Sequence, residues 1–332
     1  MRSSEPTTAL RCRLRPLAVA VAIASCFAAG ARANPIGPAV VNGQVSILRN
    51  ANLLQITNSP SSIINWQSFS IGAGEITRFI QQSSGSAVLN RVTSQNPSAI
   101  LGSLQSNGRV FLVNPSGIVF GPGAQVNVAG LVASSLNLSD ADFLGGRLNF
   151  SASPGAGAIV NQGAINTAQG GNVYLVGPAV TNSGIITSPK GEVILAAGNT
   201  VSLVDPGTPN LRVEITAPDN QATNLGQIVA DSGRIGIYAG LISHAGSIRA
   251  DGAVSEGGRI LLKATKSVTL ENSSVLSAQG KGGGEIKVLA DDSVKGAGRL
   301  SGHAHGLALD VVAVGGGFGY ASVVRHYERG IV

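Results

Sequence analysis

Along most of the chain, apolar residues alternate with polar or small ones in short runs that glycine interrupts, and the runs recur. Five units share one layout: a short strand, a polar or glycine turn, then a second strand. Gly163-Ala164-Ile165 leads to Gly171-Asn172-Val173-Tyr174-Leu175. Gly184-Ile185-Ile186 leads to Gly191-Glu192-Val193-Ile194-Leu195, and Gly226-Gln227-Ile228 to Gly233-Arg234-Ile235-Gly236-Ile237. Gly246-Ser247-Ile248 leads to Gly258-Arg259-Ile260-Leu261-Leu262, and Ser274-Val275-Leu276 to Gly284-Glu285-Ile286-Lys287-Val288. A period of two predicts strands and not helices. Long charged helix formers are sparse, and Gly or Pro interrupts most windows.

The repeat has a measurable length. Asn161 and Asn182 are 21 residues apart, Asn182 and Asn224 twice that, and Gly226 and Gly246 are 20 apart. Later units are longer, with the extra residues in the turns Asp251–Gly257 and Gln279–Gly283. Short strands at a constant repeat describe a solenoid whose like strands stack in parallel, ~4.8 Å apart. Ile165, Ile186, Ile228, Ile248 and Leu276 then form one inward column. Val173, Val193, Ile235, Ile260 and Ile286 form another. Asn and Gly suit the corners because they tolerate positive φ. One coil alone buries too little apolar surface to offset its ordering, so neighbours must stack. Both ends need caps, because an open coil presents an unpaired edge. An antiparallel sandwich or barrel also uses short strands and glycine turns, but it does not explain matching columns at a fixed repeat. The expected fold is all-β, a single-stranded parallel β-helix.

Composition narrows the class. The 332 residues include 45 Gly, with 12% charged, 4% aromatic and 43% hydrophobic residues. That is too apolar for a disordered chain, and glycine lacks the three-residue period of collagen. Residues 1–33 read as a secretion signal. Arg2, Arg11, Arg13 and Arg15 precede the apolar run Leu17 to Gly30, and Ala31-Arg32-Ala33 fits a small-x-small cleavage site. The alternative, a membrane anchor, is disfavoured by the shortness of the run, and no later segment is long and apolar enough to span a bilayer. Both cysteines, Cys12 and Cys26, lie in this segment, so the remainder has no disulfide or thiolate metal site. The segment also carries five of the 23 Lys and Arg and one of the 17 Asp and Glu, so the formal charge of the rest is +2 and not +6. No nucleic-acid partner is expected on that charge.

Residues 34–158 repeat less cleanly. They hold the one tryptophan, in Ile63-Ile64-Asn65-Trp66-Gln67-Ser68-Phe69-Ser70-Ile71-Gly72, then Asn90-Arg91-Val92-Thr93 and Asn96-Pro97-Ser98-Ala99-Ile100-Leu101-Gly102. The run Gly108 to Gly121 reads as a strand over Val110 to Val113, a turn Asn114-Pro115-Ser116-Gly117, and a strand over Ile118 to Phe120. With Ile215-Thr216-Ala217-Pro218 and Asn224-Leu225-Gly226, these blocks resemble the secretion domain of two-partner secretion exoproteins, especially the high-molecular-weight adhesins and filamentous haemagglutinin. The resemblance covers roughly Asn34 to Ala290.

The resemblance implies a right-handed β-helix with an N-terminal cap. It implies passage through the periplasm and export through a cognate outer-membrane pore, whose periplasmic modules recognise the N-terminal domain. The candidate recognition motif is Asn114, Pro115, Ser116, Gly117 and Ile118. The family usually has Asn where Ser116 stands, and serine makes the same local turn bond more weakly. The family's second motif, Asn-Pro-Asn-Leu, is not evident; Asn90, Arg91, Asn96 and Pro97 are the secondary candidates. Asn114, Pro115 and Gly117 read equally as a coil corner and as a transporter contact, and both can hold. Trp66 reads as core or cap in preference to a ligand-stacking residue.

Catalytic candidates are thin. Asp140 and Asp142 fall in a loop-like stretch before Phe143, and Asp291-Asp292 in a turn; such carboxylates are usually solvated. His303 and His305 could pair on one strand face, but lack a third metal ligand. No nucleophile elbow or phosphate loop is present, and no cofactor or metal is expected. The expected organisation is a signal at 1–33, a cap and first coils at 34–158, regular coils at 159–290, and an irregular tail at 291–332 that reads as a cap or as a truncation. The expected function is that of a secreted or cell-surface, non-enzymatic exoprotein, an adhesin or haemagglutinin, monomeric, with host-cell or surface glycans as further partners. A secreted carbohydrate-active β-helix and the N-terminal part of a contact-dependent toxin are the alternatives.

Overall fold

The computed structural model describes residues 34–204, 212–252, 258–280, 283–296, 298–301, 308–313 and 324–325. The expected signal at 1–33, and His303, His305 and His326, lie outside them. Each coil has three strands. One coil runs Asn172–Gly177, Ala179–Asn182 and Ile185–Thr187, and the next opens at Glu192–Ala197. Like strands pair in parallel from coil to coil, so the chain winds a β-helix with three faces.

Both expected columns exist as direct strand partners. Ile165, Ile186, Ile228, Ile248 and Leu276 are consecutive neighbours on the third face. Val173, Val193, Ile235, Ile260 and Ile286 are consecutive on the first. All ten are at most 2% exposed. The columns also run back into the less regular third. Val88, Val110 and Leu131 precede Val173, and Leu104 and Val126 precede Ile165.

The cap reverses strand direction. Ala39–Asn42 lies antiparallel on Ser62–Trp66, and Val45–Asn50 antiparallel on Leu53–Asn58. These two strands cover the edge that the first coil would otherwise leave open. Beneath them Trp66, Phe69 and Phe79 fill the end of the core, with ring centroids 5.7 Å apart edge-to-face and 6.4 Å apart stacked. Trp66 is fully buried.

The structure departs from the sequence reading in three places, and the first two share one cause, which is chain that leaves the coil. The 42 residues between Asn182 and Asn224 are not two coils, because the two asparagines pair directly in adjacent coils. The surplus forms strands Thr200–Val204 and Arg212–Thr216. A similar excursion after Ser134 forms Asn137–Leu138 and Leu148–Ser151. The four make an antiparallel sheet over the outer side of the first face. Phe111, Val132, Tyr174 and Ile194 point outward from that face and are buried beneath this sheet with Phe150, Val201 and Leu203. Asp140 and Asp142 are therefore not in a loop. They sit in a five-residue helix, Asp140–Leu144, capped by Ser139, which accepts from the Asp142 amide. Phe143 from this helix meets Phe111 edge-on at 5.1 Å. Finally, the ladder does not fade at 290. Ser293–Gly296 and Ala308–Ala313 stack on the preceding coil, and Leu300 follows Leu276 in the third-face column.

One polar column runs inside the helix. Asn161, Asn182 and Asn224 stack at the corner after the second face, each fully buried. The Asn161 amide donates to Asn182 Oδ1, and the Asn182 amide to Asn224 Oδ1, both at 2.8 Å. His244 ends the column, its Nδ1 3.1 Å from Asn224 Nδ2. The asparagine amide must donate here, so Nδ1 accepts and the ring proton sits on Nε2, 3.4 Å from the Val275 carbonyl. Burial depresses the His244 pKa below its ordinary value, against hydrogen bonds to the Val275 and Asn224 carbonyls that raise it.

Candidate functional site

The turn at Asn114 joins the first-face strand Arg109–Val113 to the second-face strand Ile118–Phe120. The Asn114 side chain builds it from within and is fully buried. Its Oδ1 accepts the Ser116 amide at 2.9 Å, and its own carbonyl accepts the Gly117 amide at 2.9 Å. Its Nδ2 donates across the coil boundary to the Asn96 carbonyl at 3.0 Å and to Ser98 Oγ at 2.9 Å. Gly117 has φ +105°, and a Cβ there would stand 2.9 Å from the Ala158 carbonyl oxygen. The next coil presses on the same corner, where the Gly157 amide donates to the Pro115 carbonyl at 2.8 Å. Ile118 is wholly buried, so only Pro115 and Ser116 of the five motif residues reach the surface, each half-buried.

The secondary candidates fall in two places. Asn96 and Pro97 lie beside the Asn114 corner, exposed, with the Asn96 carbonyl serving Asn114. Asn90 occupies an inward position on the first face. It accepts the Trp66 indole N–H at 2.9 Å and donates to the Phe111 carbonyl at 3.2 Å. A tryptophan buried in a core needs such a partner, so two separately noted motif residues form one unit. Arg91 points outward and holds the covering layer, reaching the Leu138 carbonyl at 2.8 Å and Asp140 Oδ1 at 2.6 Å. The sequence offered no hint of that last pair.

Of the carboxylates considered for catalysis, Asp291 and Asp292 are exposed, and Asp140 and Asp142 are engaged. Asp140 pairs with Arg91. Asp142 takes bonds from Ser139 and Arg147, which hold its carboxyl below the usual carboxylate range. Among the described residues, no three His, Cys, Asp or Glu side chains are grouped to hold a metal.

A capped three-faced parallel β-helix with a covering sheet and an Asn-Pro-Ser-Gly corner defines a class. The family model for the TPS, or two-partner secretion, secretion domain matches residues 31–288, and the chain belongs to that family. Domains of this family work with a cognate outer-membrane transporter, and their exoproteins are exported and become secreted or surface-associated. Among solved structures the chain is similar to the HMW1 secretion domain from Haemophilus influenzae. The two share 35% identity and a TM-score of 0.74, over 83% of this chain and 73% of that one. The filamentous hemagglutinin secretion domain aligns at 15% identity and a TM-score of 0.48, over 89% of this chain and all of that one. The chain is also 40% identical over 111 residues to the heme/hemopexin-binding protein of Haemophilus influenzae. That alignment covers 33% of this chain and 12% of the relative.

Proposed function

We propose that this chain is the export module of a non-enzymatic exoprotein of the adhesin or haemagglutinin kind, recognised through the corner Asn114 to Ile118. A leader at residues 1–33 directs it to the periplasm. There the transporter's periplasmic modules meet the region 34–158, and surface glycans are the partners after release. The protein acts as a monomer. The observation that carries the reading is the Asn114 side chain. Completely buried, it closes the turn locally and ties it to two residues of the preceding corner. Such a corner displays one fixed backbone shape at Pro115 and Ser116, which a partner can recognise without reading long side chains. Asp140 and Asp142, two of the carboxylates first considered for chemistry, are bound into the covering layer, which disfavours a carbohydrate-cleaving role for that pair. The heme/hemopexin-binding name belongs to the relative, of which this chain matches 12%.

The test is co-expression with the cognate pore, followed by measurement of the chain in the medium. Replacing Asn114 to Ile118 by a glycine-serine linker is expected to stop export while leaving periplasmic accumulation of the precursor. Unchanged export would refute the assigned role.

A further inference from the structure

The first face carries a second, unassigned feature where the covering sheet stops. Its last strand, Arg212–Thr216, contributes Val213 to the same buried cluster as Tyr238. Beyond it the outer surface of the coils is open. Glu192, Arg234, Arg259 and Glu285 stand in one outward column, one per coil. In the neighbouring column Gly236 stands between Ile194 and Leu261, where a side chain is missing from the outer layer. The Tyr238 ring lies over the gap, since a Cβ on Gly236 would come within 2.5 Å of Tyr238 Cε2. The result is a cavity of about 210 Å³ lined by these residues and Lys287.

The charges are arranged asymmetrically. Glu192 is 11% exposed and accepts both the Tyr174 hydroxyl at 2.9 Å and Arg234 Nε at 3.2 Å. Glu285 is 28% exposed and sits between Arg259 and Lys287. The cations stand higher, with Arg234 37%, Arg259 51% and Lys287 38% exposed. The carboxylates therefore hold three cations in place around a floor of Ile194, Leu261 and Tyr238. The five charges leave one net positive, so the site suits an anion that also presents an apolar face.

We infer that this groove binds a carboxylate-bearing sugar unit of an acidic polysaccharide. The C–H face of a pyranose packs on the half-buried Leu261 side chain, and its carboxylate meets the Arg259 and Lys287 cations. The volume is below the ~300–1,000 Å³ of pockets that enclose a whole small ligand, which fits one ring of a longer chain lying across the coils. A peptide strand is disfavoured, because the backbone of these strands is already spent on the parallel ladder and offers no edge for augmentation. Single-stranded nucleic acid is disfavoured because Tyr238, 8% exposed, offers no open face for base stacking.

The inference rests on the reading that the exported domain meets surface glycans, and it is independent of the export corner. The experiment is titration calorimetry of the exported chain with tetragalacturonate and with its fully methyl-esterified form. Saturable binding of the acid is expected, weakened by about tenfold or more on esterification and by a similar factor in the double variant Arg259→Gln, Lys287→Gln. A second variant, Gly236→Val, fills the floor and is expected to abolish binding of both forms. Circular dichroism and the export assay are run on every variant, so a folding or export defect is told apart from loss of a site. Equal affinity for acid and ester, or full binding by folded double variant, overturns the proposal. So does the absence of saturable binding by the folded, exported wild-type chain up to about 10 mM ligand.

Discussion

Asn114→Ala is the substitution in which the geometry of the corner makes its sharpest demand. The side chain makes three hydrogen bonds, to the Ser116 amide, the Asn96 carbonyl and Ser98 Oγ. Each such bond contributes about 1 kcal/mol net, and a buried partner left unsatisfied costs about 1–3 kcal/mol more. Asn96 is exposed and water can replace the lost amide there, whereas Ser98 is fully buried and its hydroxyl loses this partner. The expected loss is thus about 3–5 kcal/mol, a large share of the ~5–15 kcal/mol of an ordinary domain. Asn114→Asp keeps the acceptor but loses both donors and buries a carboxylate, so it is expected to cost at least as much at neutral pH. Ser116→Ala is the control. Its half-buried side chain stands at the surface of the turn, and such changes usually fall within about 0.5 kcal/mol. The assay is urea unfolding followed by fluorescence of Trp66, the one tryptophan, buried two coils away in the cap. A midpoint for Asn114→Ala within about 1 kcal/mol of wild type, at unchanged m-value, would refute the claim that this side chain builds the corner.

Two further substitutions test the backbone and the polar column. Gly117→Ala places a Cβ at φ +105° and 2.9 Å from the Ala158 oxygen; a loss of about 1–3 kcal/mol is expected in the same unfolding assay, and a stabilised protein would contradict the geometry. His244 has a folded-state pKa below its ordinary 6.5, from burial. The unfolded chain therefore takes up a proton first as pH falls through about 6.5. The stability that the neutral ring contributes is complete above that value and is lost as pH falls toward the folded-state pKa, at up to about 1.4 kcal/mol per pH unit. His244→Asn, which continues the asparagine column, is expected to reduce the pH dependence of the urea midpoint between pH 7.5 and 5.5, and an unchanged dependence would exclude His244 as its source.

The inward half of this fold was legible because two periods act together. A strand repeats every two residues and a coil about every 21, so Ile165 and Ile186 announce their pairing by spacing alone. The outward half was not. Val132, Tyr174 and Ile194 read as the breaks in an alternating pattern, yet they are apolar because a second sheet lies on them. That sheet is built from excursions of irregular length, and nothing in the local sequence of Leu148–Ser151 names Thr200–Val204 as its partner. The doubled spacing from Asn182 to Asn224 carried the signal of an insertion but equally suited an extra coil. At the site, the turn chemistry of Asn114 to Gly117 was readable, because Asn, Pro and Gly are punctuation for the backbone. Its long-range partners were not, since Ser98 is one serine among many until the coil brings it beneath Asn114.

The bonds at the corner divide by reach, and that division bears on what a transporter can recognise. Two bonds are local: Ser116 N–H to Asn114 Oδ1 and Gly117 N–H to the Asn114 carbonyl close the turn within four residues. The others reach across coils, 18 residues back to Asn96 and 16 to Ser98. Arg91 binds Asp140 over 49 residues, and the Trp66 indole meets Asn90 over 24. A chain whose coils have not closed keeps only the local set, because the long-range set needs the coils to have closed. Pro115 then has a second role. Its fixed φ and Gly117 two residues on bias the free segment toward the turn before any coil exists. The same four residues can thus be displayed in one shape by the unfolded chain and by the finished helix. The long-range set stabilises that shape only after folding, so, under the recognition proposed above, recognition and coil formation would draw on different atoms of one asparagine.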